Sequence, residues 1–275
     1  MTWQELMRQM SRRLKAGHIS DPDREALYLL EWATGRRYAE WVVSGGAVEA
    51  DSLDRAEAGL ARRLSHEPLA YITGHREFFG LDLAVSPAVL IPRPETEILV
   101  ETVLERVTWD AFRVADVGTG SGAIALALKS ARPDWTLFGC DIDAAALDVA
   151  RENGRRLNLT VCWLLSDLLA SVPPPVDAVV ANLPYVDPEG DLSMSWETTY
   201  EPPLALYEGG GGMKAIRRLL QQAPDWLVPG GQIFLECAPD QAQKLTGDLH
   251  AAGFGRISVV QDYAGLDRVL SGTKM

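Results

Sequence analysis

The chain has 275 residues, 47% of them hydrophobic, and a formal net charge of −12 at pH 7, with a mean hydropathy of −0.03. That length and apolar content allow one large domain or two modest ones around a buried core, and the acidity excludes a surface that tracks phosphates over the whole molecule. No stretch approaches the ~18 consecutive apolar residues of a membrane span, and the charged, amphipathic start MTWQELMRQMSRRLKAG has no signal-peptide core, so a soluble cytoplasmic protein is expected.

The first element in chain order is a helix. Trp3, Leu6, Met7, Met10 and Leu14 recur at helical spacing while Arg8, Arg12, Arg13 and Lys15 take the other face. Asp21 is placed to cap a second helix with Pro22 at its first position, and that helix is expected to bury Leu27, Leu30 and Trp32. Leu53, Leu60 and Leu64 mark another helix before the break at His66-Glu67-Pro68. Residues 1–72 therefore read as a small helical bundle. This part is electrically neutral: residues 1–76 hold 11 basic and 11 acidic side chains, so the rest carries the whole negative excess. The basic faces of its helices read as solvated surface, with contact to ribosomal RNA or to a partner's acidic face as the alternative.

Between Gly74 and Gly80 lie aromatic and alternating apolar residues, a pattern that suits a β-hairpin linking two domains over 73–92. Pro92 and Pro94 stiffen its exit. Pro94 can open the next helix, with Glu95 and Glu97 in a first turn favoured by the helix dipole.

From residue 113 strands and helices alternate. Strand-like runs fall at 113–117, 136–141, 161–166, 177–183 and 232–237, with helical stretches near 122–131, 144–157, 213–223 and 240–252. Two closing runs, 257–263 and 268–271, leave no room for a helix between them. The pattern predicts a doubly wound, Rossmann-like α/β domain over 93–275 that ends in an antiparallel hairpin. The Gly209–Gly212 run is too short for a linker and suits close backbone packing. Cys140, Cys162 and Cys237 each lie at or near the end of an apolar run, so three buried thiols are expected; with no CxxC pair and no clustering with the four histidines, no metal site is expected.

Two motifs carry chemistry. In RVADVGTGSGAIALAL a strand, a glycine-rich turn and a helix follow in order, and Gly118, Gly120 and Gly122 let the backbone turn tightly beside a ligand. About 20 residues on, at the end of the next strand, Asp141 is placed to accept hydrogen bonds from a ribose. An adenine nucleoside derivative is the ligand class this implies. The spacing Gly118-x-Gly120-x-x-Ala123 also fits a nicotinamide or flavin dinucleotide loosely, and a bare tight turn fits it too. Asp116 is placed either to receive the ammonium of a methionine moiety or to cap the loop amides.

The second motif is Asn182-Leu183-Pro184-Tyr185, at a strand end where ligands bind in such sheets. An amide nitrogen is a poor nucleophile because its lone pair is delocalised. Asn182 can accept from a substrate NH2 and donate to its carbonyl; the carbonyl of Leu183 adds a second acceptor; Pro184 fixes the turn; Tyr185 can stack on a planar group. Attack on an already activated sulfonium methyl demands positioning rather than a strong base. Read alone, the same four residues also suit a simple strand-closing turn.

Together the stretches YITGHREFFG, VLIPRPETE, DVGTGSGAIALAL, NLPY, EPPLALYEGGGG, GGQIFLECAPDQ and DYAGLDRVL resemble the release factor glutamine methyltransferase family over most of the chain. The resemblance implies a seven-stranded methyltransferase domain behind an all-helical N-terminal domain and a hairpin hinge. It implies S-adenosyl-L-methionine as donor, S-adenosyl-L-homocysteine as product, and the glutamine of a Gly-Gly-Gln loop in translation release factors as acceptor. Carried over by position, the donor site takes Gly118, Thr119, Gly120, Ser121, Gly122, Asp141, Asp167, Leu168 and Asn182, and the acceptor site takes Asn182 to Tyr185. Two positions depart from the family pattern: Leu183 stands where a proline is usual, and Leu168 where an aromatic residue often flanks the adenine. A ribosomal-protein glutamine and an adenine exocyclic amine in RNA or DNA are the alternative acceptors. A monomer that binds release factors, with no nucleic acid and no membrane partner, is expected.

Overall fold

The structure, a computed structural model, describes residues 1–107, 112–186, 196–207 and 212–275. It divides into two compact units, one built from Met1–His75 with the short helical turn Trp196–Tyr200, the other from the rest of the chain beginning at Arg76.

The first unit is helical: α1 (Trp3–Ala16), α2 (Pro22–Thr34), α3 (Tyr38–Ser44), α4 (Ala50–Leu64) and α5 (Leu69–Thr73). A capping box opens α1, where Glu5 N–H donates to the Thr2 hydroxyl and Thr2 N–H donates to the Glu5 carboxylate. Trp3, Leu6, Met10 and Leu14 form its buried stripe, with Met7 at the margin. Two details of α2 differ from expectation. Asp21 stands at the cap position but in left-handed backbone, and its side chain makes no capping bond; it pairs with Arg24 at 3.2 Å instead. The buried face is Ala26, Leu29, Leu30 and Ala33, while Leu27 and Trp32 are half-buried. Alanines take the inward positions because small side chains let α2 approach α1 and α4 closely. Arg63 of α4 is 2% exposed and is neutralised by Glu25 of α2, at 3.0 Å, and by Glu197. Tyr200 donates its hydroxyl to the Ser65 carbonyl at 2.7 Å, so the Trp196–Tyr200 turn is held at both ends.

In the second unit β1 (His75–Phe78) and β2 (Leu81–Ala84) make the hairpin, and α6 (Pro94–Arg106) follows with Pro94 in its first turn. Then come β3 (Arg113–Val117), α7 (Ala123–Ala131), β4 (Thr136–Asp141), α8 (Ala144–Leu157), β5 (Cys162–Leu165), β6 (Val176–Ala181), α9 (Pro203–Leu206), α10 (Lys214–Trp226), β7 (Leu227–Glu236), α11 (Ala242–Ala251), β8 (Phe254–Gln261) and β9 (Asp267–Lys274). They form a seven-stranded sheet in the order β5-β4-β3-β6-β7-β9-β8. The first five strands of that order are parallel; β9 runs antiparallel to β7 and to β8. The closing hairpin therefore inserts its second strand beside β7 and leaves its first at the edge.

Successive strand residues face opposite sides, and both sides are covered. Ala115, Val117, Val179, Ala181, Ile233 and Leu235 pack toward α10 and α11. Val114, Ala178, Val180 and Phe234 pack toward α6 and α7. Cys140 and Cys237 are buried, but Cys162 is exposed, against the expectation of three buried thiols, because β5 is an edge strand. Strand order reverses between β3 and β6, the place in an open α/β sheet where a crevice forms beyond the strand ends. No helix among the described residues is long and apolar enough to cross a membrane.

Candidate active site

The turn after β3 begins the site. Gly118 and Thr119 donate their N–H groups to the Cys140 carbonyl at 2.9 and 3.0 Å, tying the loop to β4. Gly118 has φ of +73°, and a Cβ there would stand 2.8 Å from Leu183 Cδ2, so only glycine admits both the backbone and its neighbour. Asp116 lies behind this loop, fully buried. Its Oδ2 accepts from the Thr119 hydroxyl at 2.5 Å and from Ala125 N–H at 3.1 Å, while Oδ1 has no partner among the described residues. Burial pushes its pKa up to about 7 against those two hydrogen bonds. From α8, the buried Asn153 grips both backbone groups of Ala84 (2.7 and 3.0 Å) and the Ser121 carbonyl (2.9 Å), joining the hairpin's end to the glycine loop.

At the end of β4, Asp141 accepts from Gly120 N–H at 2.9 Å and from Asp143 N–H at 3.0 Å. Burial raises its pKa while these amide donors oppose the shift. After β5, Leu168 sits 8% exposed in left-handed backbone (φ +53°), with its carbonyl accepting from the Ser166 hydroxyl at 2.8 Å. Asp167 pairs with Arg218 of α10 at 2.6 Å.

The turn after β6 is fastened along its length. Asn182 donates Nδ2–H to the Thr96 hydroxyl of α6 at 3.1 Å. Leu183 is buried at 5% and belongs to the core toward α10. Tyr185 donates its hydroxyl to Glu236 Oε1 at 3.2 Å, and its carbonyl accepts from Gln241 Nε2 at 2.9 Å. Burial and the neighbouring Glu236 carboxylate raise the Tyr185 pKa, so the phenol stays protonated. Val186 then bridges to Tyr207, its N–H donating to the Leu206 carbonyl at 3.1 Å. The buried Glu201 carboxylate accepts from Ile91 N–H at 3.1 Å and pairs with Arg93, which ties the stretch before α9 to the proline-rich entry of α6. Glu236, 1% exposed at the end of β7, is raised to about 7 by burial, opposed by the Thr96 and Tyr185 hydroxyls and by Arg268.

These turns enclose one cavity of about 270 Å³, lined by Gly118–Ser121, Asp141, Asp167, Leu168, Asn182, Leu183 and Pro184, with Val89, Pro92 and Thr96 closing it from the α6 side. Residues from the ends of four parallel strands thus meet at the topological switch point. Asp116, Gly122 and Tyr185 stand outside the lining: the first lies behind the loop, the second begins α7, and the third points to Glu236. Thr96, Glu201, Asn153, Gln241 and Glu236 escape sequence reasoning. Their bonds span large separations, 86 residues for Thr96 with Asn182, which no local pattern encodes. Glu236 alone leaves a trace, an acidic residue closing an apolar strand at the same sheet edge as Asp141.

The Methyltransferase small domain family matches residues 94–211, and the PrmC N-terminal domain family matches residues 5–74. The release factor glutamine methyltransferase of Moorella thermoacetica is 41% identical, over 98% of this chain and 97% of its own. That of Escherichia coli K12 is 36% identical over 99% of both chains. Among solved structures, a 16S rRNA methyltransferase of T. thermophilus in complex with AdoMet and guanosine superposes with a TM-score of 0.56 at 21% identity, covering 73% of this chain and 50% of that one, a likeness of fold alone. With relatives this similar along nearly its whole length, the chain belongs to the release factor glutamine methyltransferase family.

Proposed function

We propose that this chain transfers a methyl group from S-adenosyl-L-methionine to the side-chain amide nitrogen of the glutamine in the Gly-Gly-Gln loop of a translation release factor. The observation that carries the reading is the placement of Asn182, Leu183 and Pro184 in the same cavity as the glycine loop and Asp141. One turn can hold a planar amide while the other holds a nucleoside, and in-line transfer needs both within one enclosure.

The residues present fit such a donor. A Cβ on Gly120 would meet nothing within 4 Å, so the loop leaves open space at the cavity wall. Asp141 keeps lone pairs beyond its two amide bonds to accept ribose hydroxyls. Leu168 offers an apolar wall for a base. When bound, the donor supplies an electrophilic sulfonium methyl.

The chain's own work is orientation. Asn182, with Nδ2 given to Thr96, has its Oδ1 free to accept one amide hydrogen of the glutamine. The Leu183 carbonyl is the second acceptor, and Pro184 holds that turn rigid. Drawing both hydrogens into acceptors aims the nitrogen lone pair at the methyl carbon. The helical unit, neutral where the rest is acidic, serves as a platform for the body of the factor. A monomeric enzyme that meets its substrate in the cytoplasm completes the reading. Incubating the protein with donor and a release factor, then fragmenting the product by mass spectrometry, tests the reading. A gain of one methyl on the Gly-Gly-Gln glutamine is expected; an unmodified glutamine, or a methyl elsewhere, would overturn it.

A further inference from the structure

Glu201 stands two residues before α9 and is 3% exposed. Its Oε1 accepts from Ile91 N–H at 3.1 Å and its Oε2 from the Arg93 guanidinium, partners 110 and 108 residues away in the chain. Arg93 holds the cap position of α6. Residues 85–93 form neither helix nor strand, and α9 is a single turn of four residues. Segments without a ladder of backbone bonds take their place from side-chain contacts, and a hydrogen bond between two charged groups is among the firmest of these.

The contact closes a ring. Asn182, which opens the acceptor turn, donates Nδ2–H to Thr96 in the first turn of α6 at 3.1 Å. Four residues on, Val186 donates its N–H to the Leu206 carbonyl at the end of α9 at 3.1 Å. The turn thus has two supports, α6 at its start and α9 at its end, and Glu201 ties the two supports to each other. Each arc of the ring supplies wall to the cavity: Pro92 and Thr96 from α6 and its entry, Pro202 and Ala205 from α9 and its entry, Asn182 and Leu183 from the turn. The glycine loop lies outside the ring, fastened to β4 by the bonds of Gly118 and Thr119 to the Cys140 carbonyl. An acceptor has to be held within about 0.5 Å for productive attack. Supports free to shift apart would carry Asn182 Oδ1 and the Leu183 carbonyl out of line with the methyl carbon.

We propose that Glu201 is a positioning residue for methyl transfer, its carboxylate locking the entry of α6 to the stretch before α9 so that the acceptor turn is held at both ends. The role rests on the glutamine reading of the site, because the acceptor amide is what the turn aims.

The test is E201Q. The substitution keeps the shape and an oxygen for Ile91 N–H, but its NH2 faces the Arg93 guanidinium, donor against donor, and the ion pair is gone. Expected is a fall in kcat toward a Gly-Gly-Gln peptide on the order of a hundredfold, the cost of about 1 Å of misplacement, with S-adenosylhomocysteine affinity within about threefold of the parent. R93Q should lose kcat similarly, R93K, which keeps a cation for Oε2, should recover most of that loss, and combining E201Q with R93Q should cost little more than either alone. A kcat for E201Q within about threefold of the parent, or losses that multiply in the double variant, would overturn the proposal. Amide hydrogen exchange reads the ring without any substrate. At Val186, on the far side of the ring, exchange should quicken about tenfold or more in E201Q, while the Gly118 and Thr119 amides keep the parent's protection. Unchanged exchange at Val186, or an equal rise at all three amides, refutes the ring, the second by marking a general loss of stability. A parent inactive on release factors sinks the glutamine reading and leaves the exchange result standing. Should E201Q not fold, R93Q with undiminished kcat overturns the proposal equally.

Discussion

Asp116 shows how one carboxylate's surroundings decide its behaviour. It is buried behind the glycine loop, with Oδ2 serving Thr119 and Ala125 and Oδ1 unpartnered. The sequence offered two roles, capping the loop or receiving an ammonium; Oδ2 takes the first, and Asp116 stands outside the cavity lining. Burial holds its pKa at about 7, above its ordinary 3.8. The folded chain therefore keeps this proton over a range in which the unfolded chain has released it. Stability then falls as pH rises from about 4 to about 7 and levels off above. In D116N this contribution is absent, so the midpoint of urea unfolding should depend less steeply on pH across that window, and the parent and variant curves should run parallel above it. Equal slopes in the window would show that Asp116 shares the ordinary acidity of an exposed carboxylate.

Among elements, those with clean periodicity were legible to the residue: β3, β4 and α8 have the bounds that the apolar pattern predicts. β7 was not. It begins at Leu227, five residues before the expected start, because Pro229, Gly230 and Gly231 read as breakers, yet Leu227 still pairs with Val176 across an irregular register. The acceptor turn was legible as four residues, but the elements that hold it were not. Gly212, at the entry to α10, has φ of +70°, and a Cβ there would fall 1.9 Å from the Tyr185 carbonyl oxygen. This is the close approach expected of the glycine run, whose other members, 209–211, lie outside the described residues. G212A should push the turn off Thr96 and Glu236 and lower kcat on the order of a hundredfold, the cost of about 1 Å of misplacement. Donor affinity should persist, since neither Gly212 nor Tyr185 lines the cavity. A kcat unchanged by G212A would mean that the Tyr185 end of the turn plays no part in aiming the acceptor.

At the scale of the molecule, the division into two units was more legible than the wiring. Charge distinguishes a balanced front from an acidic remainder, and helical spacing gives way to strand–helix alternation. What composition could not reveal is that Trp196–Tyr200, beginning eleven residues beyond Tyr185, clusters with the helical unit, its Glu197 paired with the buried Arg63. The proposed recognition of the release factor by that unit makes a specific kinetic prediction, because every residue lining the cavity lies between 88 and 218 and outside it. A chain beginning at residue 76 should bind S-adenosylhomocysteine within about threefold of the parent and methylate a short Gly-Gly-Gln peptide at a comparable rate. Toward an intact release factor its KM should rise by tenfold or more, since each lost ~1.4 kcal/mol of contact energy costs a factor of ten. The peptide separates the two explanations for a poor truncated enzyme. A loss on both substrates would mean that the helices support the catalytic unit itself; a loss on the intact factor alone, seen in KM, would place them at the factor's surface; and full efficiency on both would leave the helical unit without a part in recognition.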